Sequence, residues 1–392
     1  MRILHTSDWH IGRTFHGYNT LEAVSQVLAQ IPVLIQKHKI DVVVVAGDIY
    51  DLANPSTDAV NVLRDAVTAI LKTGAKIVLV SGNHDSATRL GFAGAFSAPS
   101  GLYIVTQAKE ALTPIELSDE HGPVDFYGIP FLQPELVRHL DWVASDATSQ
   151  HQVVGSAMSE IRKVINRRKS ASRRNVVLAH TFVAGGEAET SDSERAITLK
   201  PLEVGGVDVV PKDVFDGVTY AALGHIHGRK ELEPHLRYSG ALMHYSFKEA
   251  GKPRGGWLVE LNIDGLGQVE WLDLPIIRPL VEIRGTFDEL LTKPEFAKFA
   301  KYYVRAIYTD QTRQIDAMIK LKTRFEFCAE VLNVSEVQVA DNELSYRERV
   351  KGKTDLEIIS SFLVDVRKGE GASPEELELI KKVITATSAS EA

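Results

Sequence analysis

The run DVVVVAGD at residues 41–48 narrows most sharply what this chain can fold into. Four consecutive valines put β-branched side chains on both faces of an extended segment, so the strand needs an apolar layer on each side. AKIVLVSGNHD (75–85) repeats the pattern and likewise ends in glycine followed by polar residues. Between the two, Ser56 suits a helix N-cap, the apolar spacing predicts a helix as far as Lys72, and Gly74 sits where a helix stop belongs. Ahead of them Ile3-Leu4 opens a strand. Leu21, Val24, Val27, Leu28, Ile31, Leu34 and Ile35 then predict one amphipathic helix. This βαβαβ rhythm implies a mostly parallel sheet with helices on its faces. Such sheets bind their ligands at the carboxyl ends of the strands.

Further strands are expected at 102–105 and 125–129 and in NVVLAHT (175–181), YAALGHIH (220–227) and GWLVELN (256–262), with a helix over 151–167. From about residue 280 the texture changes. PLVEIRG, YYVRAIYT and AEVLNVSEVQV read as strands, with helical stretches near 287–300 and 312–327. Two helices, 355–368 and 374–386, follow, the second opened by the capping sequence Ser373-Pro374-Glu375-Glu376. A length of 392 residues suits two or three domains. The expected division is 1–279, a small α+β unit at 280–340, and C-terminal helices at 341–392 with a disordered end.

The chemistry-bearing residues stand at the ends of the predicted strands. Asp8 and His10 follow the first, Asp48 the second, and Asn83, His84 and Asp85 the third; His180 ends NVVLAH, and His225 and His227 follow YAALG. Extended alternation would send Asp8 and His10 to one face and Trp9 to the other, and would put the two imidazoles of GHIH on one face. Gly47, Gly82 and Gly224 each precede one of these residues, allowing tight turns and close approach. Imidazole, carboxylate and amide oxygen suit Mn²⁺, Fe²⁺ or Zn²⁺. Asp8, His10, Asp48, Asn83, His180, His225 and His227 are too many for one ion and suit two, an arrangement fitted to phosphoryl chemistry.

The stretches ILHTSDWHIGRTF, VVAGDIYD, VSGNHDS, ALGHIH and RYSGALMHYSF…EAGKPRGGWLVEL together resemble the calcineurin-like metallophosphoesterases. Within that family they are most similar to the Mre-type nuclease branch, which includes the bacterial SbcD nuclease subunits. The resemblance covers about the first 280 residues; the remainder matches by layout and length. It implies an α/β fold: a metallophosphoesterase β-sandwich core with flanking helices, a small α+β cap domain and C-terminal partner-binding helices. It also implies roles. Asp8, His10 and His227 would hold one divalent metal ion, and Asn83, His180 and His225 a second, with Asp48 bridging; Mn²⁺ is the expected metal. His84 would face the phosphate as the catalytic acid, oriented by Asp85. Archaeal and eukaryotic relatives carry a histidine three residues after the bridging aspartate, where this chain, like bacterial members of the branch, has an aspartate, Asp51.

The same resemblance implies DNA as substrate and an SbcC-like coiled-coil ATPase as partner, with a homodimer inside a heterotetramer. The chain itself has no G-x-x-x-x-G-K-[ST] phosphate loop. Leu356, Ile359, Phe362, Leu363 and Val366 would form the docking stripe of the first tail helix. A net charge of −8 excludes bulk attraction to nucleic acid, so DNA would need a local positive site. Arg13 and Arg89, each close to a metal-type motif, are the candidates for meeting a DNA phosphate. The basic run RKVINRRKSASRRN (162–175) could track phosphates or be a solvated helix end. The single cysteine, Cys328, allows no internal disulfide and fits a reducing cytoplasm. No apolar run approaches the roughly 20 residues of a membrane span, and the first residues show no secretion-signal pattern. The competing readings are a small-molecule phosphodiesterase or phosphomonoesterase with the same two-metal site, and a non-catalytic scaffold; a complete ligand set argues against the scaffold.

Overall fold

The computed structural model describes residues 1–170, 172–185, 209–334, 352–367, 369 and 371–390, and the chain divides into two compact units, Met1–Pro279 and Leu280–Ala392.

The Val42–Ala46 strand is buried on both faces, as its four valines require. It is central in a six-stranded sheet that runs, edge to edge, Gly265–Asp273, Gly255–Asn262, Arg2–Thr6, Val42–Ala46, Lys76–Val80 and Leu102–Val105. The last four are parallel, and Gly255–Asn262 pairs antiparallel to Arg2–Thr6. A second six-stranded sheet runs Lys230–Glu233, Leu236–Tyr238, Tyr220–Gly224, Arg174–His180, Gly122–Ile129 and Ile115–Asp119. The alternation of the valines explains the layering. Val42 and Val44 join Ile3, Val78 and Val80 against Phe126, Val176, Leu178 and Tyr220 of the second sheet. Val43 and Val45 face the opposite way, onto the helices that hold Val24, Val27, Ile31 and Ile70. The outer face of the second sheet packs on Val153, Ala157, Met158 and Ile161 of the helix Gln150–Arg168. Helices therefore cover only the outer faces. The inner face of each sheet is covered by the other, where the βαβαβ rhythm alone predicts helices on both sides.

Several elements differ from the sequence reading. The helix expected across 21–35 is two, Leu21–Leu28 and Ile31–His38. Pro32 cannot donate within a helix interior but fits a first turn, and it restarts the second helix. The helix predicted over 287–300 is Phe287–Thr292 followed by a 3₁₀ segment, Pro294–Phe299, and the one predicted over 312–327 is only Ala317–Lys322. The expected strand at 329–339 is described as Cys328–Asn333; positions 335–339, like the expected boundary at 340, lie outside the described residues. The tail helices are Asp355–Val366 and Pro374–Ser390, the second continuing where a disordered end was expected, with 391–392 outside the described residues. Ser373 Oγ and the Glu376 carboxylate cap that helix reciprocally.

The second unit carries a parallel three-stranded sheet in the order Leu280–Gly285, Tyr303–Tyr308, Cys328–Asn333, packed around Ile283, Leu290, Val304, Leu321 and Phe325. No helix among the described residues is long and apolar enough to cross a membrane.

Buried between the two sheets, His5 is held neutral. Its Nε2–H donates to the Leu223 carbonyl at 3.1 Å and its Nδ1 accepts from the Tyr220 hydroxyl at 2.9 Å. Burial lowers its pKa to about 3, against the opposing pull of that carbonyl. The unfolded chain therefore takes up a proton near pH 6.5 that the folded chain refuses until about pH 3, so stability is lost as pH falls through that window. We expect denaturant-measured stability to fall by a few kcal/mol between pH 7 and pH 4 from this residue alone, since each tenfold loss of proton affinity corresponds to about 1.4 kcal/mol. A His5→Gln chain should show a correspondingly shallower loss; an identical pH slope would remove His5 from this role.

Candidate metal centre

Five strand ends of the sandwich deliver their polar residues to one place. Asp8 and His10 leave Arg2–Thr6, Asp48 leaves Val42–Ala46, Asn83 and His84 leave Lys76–Val80, His180 ends its own strand, and His225 and His227 follow Tyr220–Gly224. Parallel pairing sets Gly224 beside His180. Two glycines permit the crowding: a Cβ on Gly47 would lie 2.1 Å from His180 Nδ1, and one on Gly224 would lie 1.8 Å from the Ala46 carbonyl oxygen.

The backbone here is not extended. Asp8, His10, Asp48 and His225 have φ of 51°, 44°, 49° and 103°, the left-handed region that costs a non-glycine residue roughly 1–3 kcal/mol. Strand alternation therefore does not explain how Asp8 and His10 come together. They are held by tight backbone bonds instead, Asp8 N–H to the Gly47 carbonyl (3.0 Å) and His10 N–H to the Asp48 carbonyl (2.9 Å). Trp9 does turn away: it is fully buried among the helix-side core residues, its Nε1–H donating to Thr6 Oγ1.

The side chains form overlapping groups. Asp8, His10 and His227 place ligand atoms within 4.8 Å of one another, as do Asp8, Asp48 and His180, and His10, Asp48 and His84. Asn83 Oδ1 lies 2.9 Å from His180 Nε2 and 3.2 Å from His225 Nδ1. His10 Nε2 lies 3.0 Å from His227 Nε2. Asp48 Oδ2 is buried, with His180 Nε2 at 3.3 Å and His10 Nε2 at 3.6 Å. Converging imidazole nitrogens around a buried carboxylate oxygen are a donor set that divalent cations fit.

Electrostatics support that reading. Burial lowers the pKa of His10 to about 4, with Asp51 and Asp48 pulling the other way, and burial with Arg13 and Arg254 lowers that of His227. Both imidazoles are thus neutral and present lone pairs. For His180 burial is overcome by Asp48, which raises its pKa, while the histidines around Asp48 hold that carboxyl well below its usual range despite burial. In the metal-free chain a proton thus sits on His180 beside Asp48, and binding a cation there displaces it.

His84 is set apart by the partial exposure of its ring, although its Nε2 is itself buried. Its side chain is 17% exposed, against 0% for His10, Asp48 and His180. Its Nδ1–H donates to the Asp51 carbonyl at 2.9 Å, and its Nε2 lies 4.0 Å from Asp48 Oδ2. Asp85 does not orient His84 as expected. Its carboxylate accepts the Ile49, Tyr50 and Gly82 N–H groups at 2.9–3.0 Å, tying together the two loops that carry Asp48 and His84.

The two arginines part ways. Arg13 is mostly buried, its guanidinium 4.5 Å over the Tyr245 ring, 3.6 Å from Asp51 and 3.4 Å from His10 Nε2. Arg89 donates to the Ala53 carbonyl and Asn54 Oδ1 of a neighbouring loop. Much of the basic run 162–175 is paired within the fold, while Arg167 and Lys169 are exposed. Arg168 and Arg173 pair with Asp125 and Glu116, Arg174 pairs with Asp119, and Arg162 donates to the Val214 carbonyl. The partners lie some 40–60 positions away, so the run read alone looks free.

Sequence reasoning misses four residues. Tyr245 lies edge-on to His10 and His227; buried Arg254 donates to the His227 carbonyl and to Glu249. Phe131 lies against His225 and His180. Tyr245, Arg254 and Glu249 come from the RYSGALMHYSF…EAGKPRGG stretch, whose only signal is its place in the resemblance. Asp51, which the sequence marks only as a departure from relatives, also has a place here: its Oδ1 lies 3.3 Å from His10 Nδ1. A carboxylate on the far nitrogen of a ligating histidine fixes its orientation. Asp51→Asn should therefore weaken Mn²⁺ binding about 10- to 100-fold in equilibrium dialysis; unchanged affinity would remove Asp51 from the centre.

Comparison with known proteins agrees with this geometry. The family description of the calcineurin-like phosphoesterases matches residues 1–229, and the type 5 capsule protein repressor C-terminal domain, the SbcD-type C-terminal domain, matches 277–367. Similar solved structures include a Thermus thermophilus protein (14% identity, 69% of this chain and 98% of that one, TM-score 0.39). A Danio rerio dimetal phosphatase gives 14% identity, 70% and 98% coverage, and a TM-score of 0.38. GAP50, described as the anchor in the Plasmodium inner membrane complex, gives 14%, 86% and 98%, and 0.41. Likeness at that level carries no argument about fold or activity. The family match spans more than half of the 392 residues and takes in every residue of the cluster: the chain belongs to the calcineurin-like phosphoesterases, as a metal-dependent phosphoesterase with an SbcD-type C-terminal domain.

Proposed function

We propose that this phosphoesterase is the DNA nuclease subunit of an SbcC–SbcD-type complex acting in DNA repair, replication and recombination. In this reading it is both a double-strand exonuclease and an endonuclease on hairpins and single strands. The observation that carries it is one chain joining the strand-end cluster to an SbcD-type C-terminal domain, which a phosphoesterase of small molecules does not need. Asp8, His10 and His227 would hold one metal ion and Asn83, His180 and His225 the other, Asp48 would serve both, and Mn²⁺ would be the working ion. When bound, the ions activate water and neutralise charge on the phosphate.

The protein's own groups do the rest. Asp51 fixes the His10 ring, and Asp85 locks the loops of Asp48 and His84. With its Nδ1–H held by the Asp51 carbonyl, His84 turns Nε2 toward Asp48, where it would serve as the proton donor to the leaving oxygen. Arg13, beside the cluster, offsets the negative charge of the phosphate, and Arg89 meets the DNA further out.

The partner supplies ATP binding and docks on the tail helices, where Phe362, Val366, Leu379 and Val383 are more than half exposed. Exposed Phe92 and Phe96, with rings 5.7 Å apart, offer an apolar face to a second copy in a homodimer within a heterotetramer. The complex works in the cytoplasm. Removing residues after about 340 should abolish co-purification with the ATPase and leave metal-dependent cleavage of simple substrates. Retained co-purification overturns the docking assignment.

The deciding experiment incubates the purified chain, alone and with its ATPase, with blunt and hairpin DNA and Mn²⁺. DNA cleavage is expected. Rapid hydrolysis of small phosphoesters with no DNA cleavage under any condition would favour the small-molecule phosphodiesterase or phosphomonoesterase instead.

A further inference from the structure

A groove of about 370 Å³ opens beside the metal-type cluster and shares Asn83 with it. That volume falls within the roughly 300–1,000 Å³ of ligand pockets. Three loops make its walls: Ser81–Ala87 at the end of the Lys76–Val80 strand, Thr106–Lys109, and Pro130–Leu140. Phe131 belongs to both sites. Its ring stacks on His225 at 6.2 Å between centroids and 29° between planes, and it also lines the groove.

The lining is mixed in a particular way. Phe131, Leu136, Val137 and Leu140 give an apolar wall for a flat ring. Gln133, exposed, brings an amide that donates and accepts, matching the edge of a base, while the Gln107 side chain already accepts the Glu110 N–H of its own turn. Lys109 adds an exposed cation at the rim. The one carboxylate in the wall, Asp85, is already spent on three backbone N–H groups. An occupant that reaches from here past Asn83 to the cluster must carry a phosphate at one end and a planar heterocycle at the other.

We propose that this groove is the subsite for the nucleoside joined to the phosphate that is cut, an inference that rests on the phosphodiesterase function proposed above. It fixes where the strand lies: one flanking base sits against the Leu136 wall while the phosphate faces His84 and Asp48.

The test compares ligands that share a phosphate and differ in the nucleoside. The Mn²⁺-loaded chain is titrated calorimetrically with inorganic phosphate and with thymidine 5′- and 3′-monophosphate. One nucleotide should bind roughly 5- to 150-fold more tightly than phosphate, the range for stacking one base. In Lys109→Glu/Leu136→Glu that preference should collapse toward onefold while inorganic phosphate binds as before. Both positions are exposed, so the fold should tolerate the charges. Leu136→Ala, a milder truncation, should lose part of the preference. No nucleotide preference in the unmodified chain, or a preference unchanged in both variants, overturns the subsite. A chain that shows the preference and its loss in the variants, yet cleaves no DNA with Mn²⁺, upholds the subsite and overturns the nuclease reading.

Discussion

Asp48→Asn should leave a folded chain that loses at least one equivalent of bound Mn²⁺ and cleaves phosphodiesters at least about 10³-fold more slowly, the scale of losing a main electrostatic stabiliser of the reacting phosphate. The reason lies in how many groups share this one carboxylate. Its Oδ1 accepts the His84 N–H at 3.0 Å, and its Oδ2 lies 3.3 Å from His180 Nε2 and 3.6 Å from His10 Nε2. Asparagine keeps the shape and the Oδ1 bond but removes the charge that draws cations into a fully buried place. It also places an N–H₂ or a neutral oxygen where an anionic ligand stood. Metal content by mass spectrometry, together with turnover, checks the result. Full metal occupancy with near-normal turnover would show that Asp48 does not lie between the ions.

His84→Ala should give the complementary pattern: metal content unchanged and kcat lower by about 10²–10⁴-fold, the usual worth of a positioned proton donor. His84 approaches Asp48 Oδ2 only to 4.0 Å, and its ring nitrogen is held by the Asp51 carbonyl rather than by a side chain. The pairing of the two variants separates holding metal from moving a proton. A His84→Ala chain that loses its metal would make His84 a ligand, and unchanged DNA cleavage would end the proposed acid role. A substrate with a better leaving group needs less help from an acid, so the penalty should shrink for a p-nitrophenyl ester.

The parts of this fold that sequence discloses are those where burial forces composition. Val42–Ala46 and, after the exposed Lys76, residues 77–80 are buried on both faces, so no polar residue interrupts them until the chain reaches Gly47-Asp48 or Ser81-Gly82-Asn83. The same logic exposes the cluster, because polar residues at the ends of such strands stand out. Strands with a wet face are silent: Ile115–Asp119, Lys230–Glu233 and Gly265–Asp273 alternate weakly and carry charges. Local geometry is silent too. Asp8 and His10 suggest an extended pair, whereas both adopt left-handed φ because backbone bonds to Gly47 and Asp48, some 40 positions on, over-determine them. Asp85 misleads for a similar reason: adjacency to His84 suggests a partner, but three N–H groups supplied by two loops claim its carboxylate. The fate of Arg168 and Arg173 likewise depends on Asp125 and Glu116, which only pairing of the edge strands brings near.

The cluster draws on both ends of the first unit, from Asp8 to His227, a separation of 219 positions (227 − 8). At synthesis speeds of about 5–20 residues per second, the first of these side chains leaves the ribosome roughly 10–40 s before the last. Through that interval Asp8 and His10 have neither His227 nor the sandwich that bends their backbone, so the nascent chain holds only fragments of a cation site. Hydrolytic capacity therefore arrives in one step, only after the strand that precedes His225 and His227 has docked.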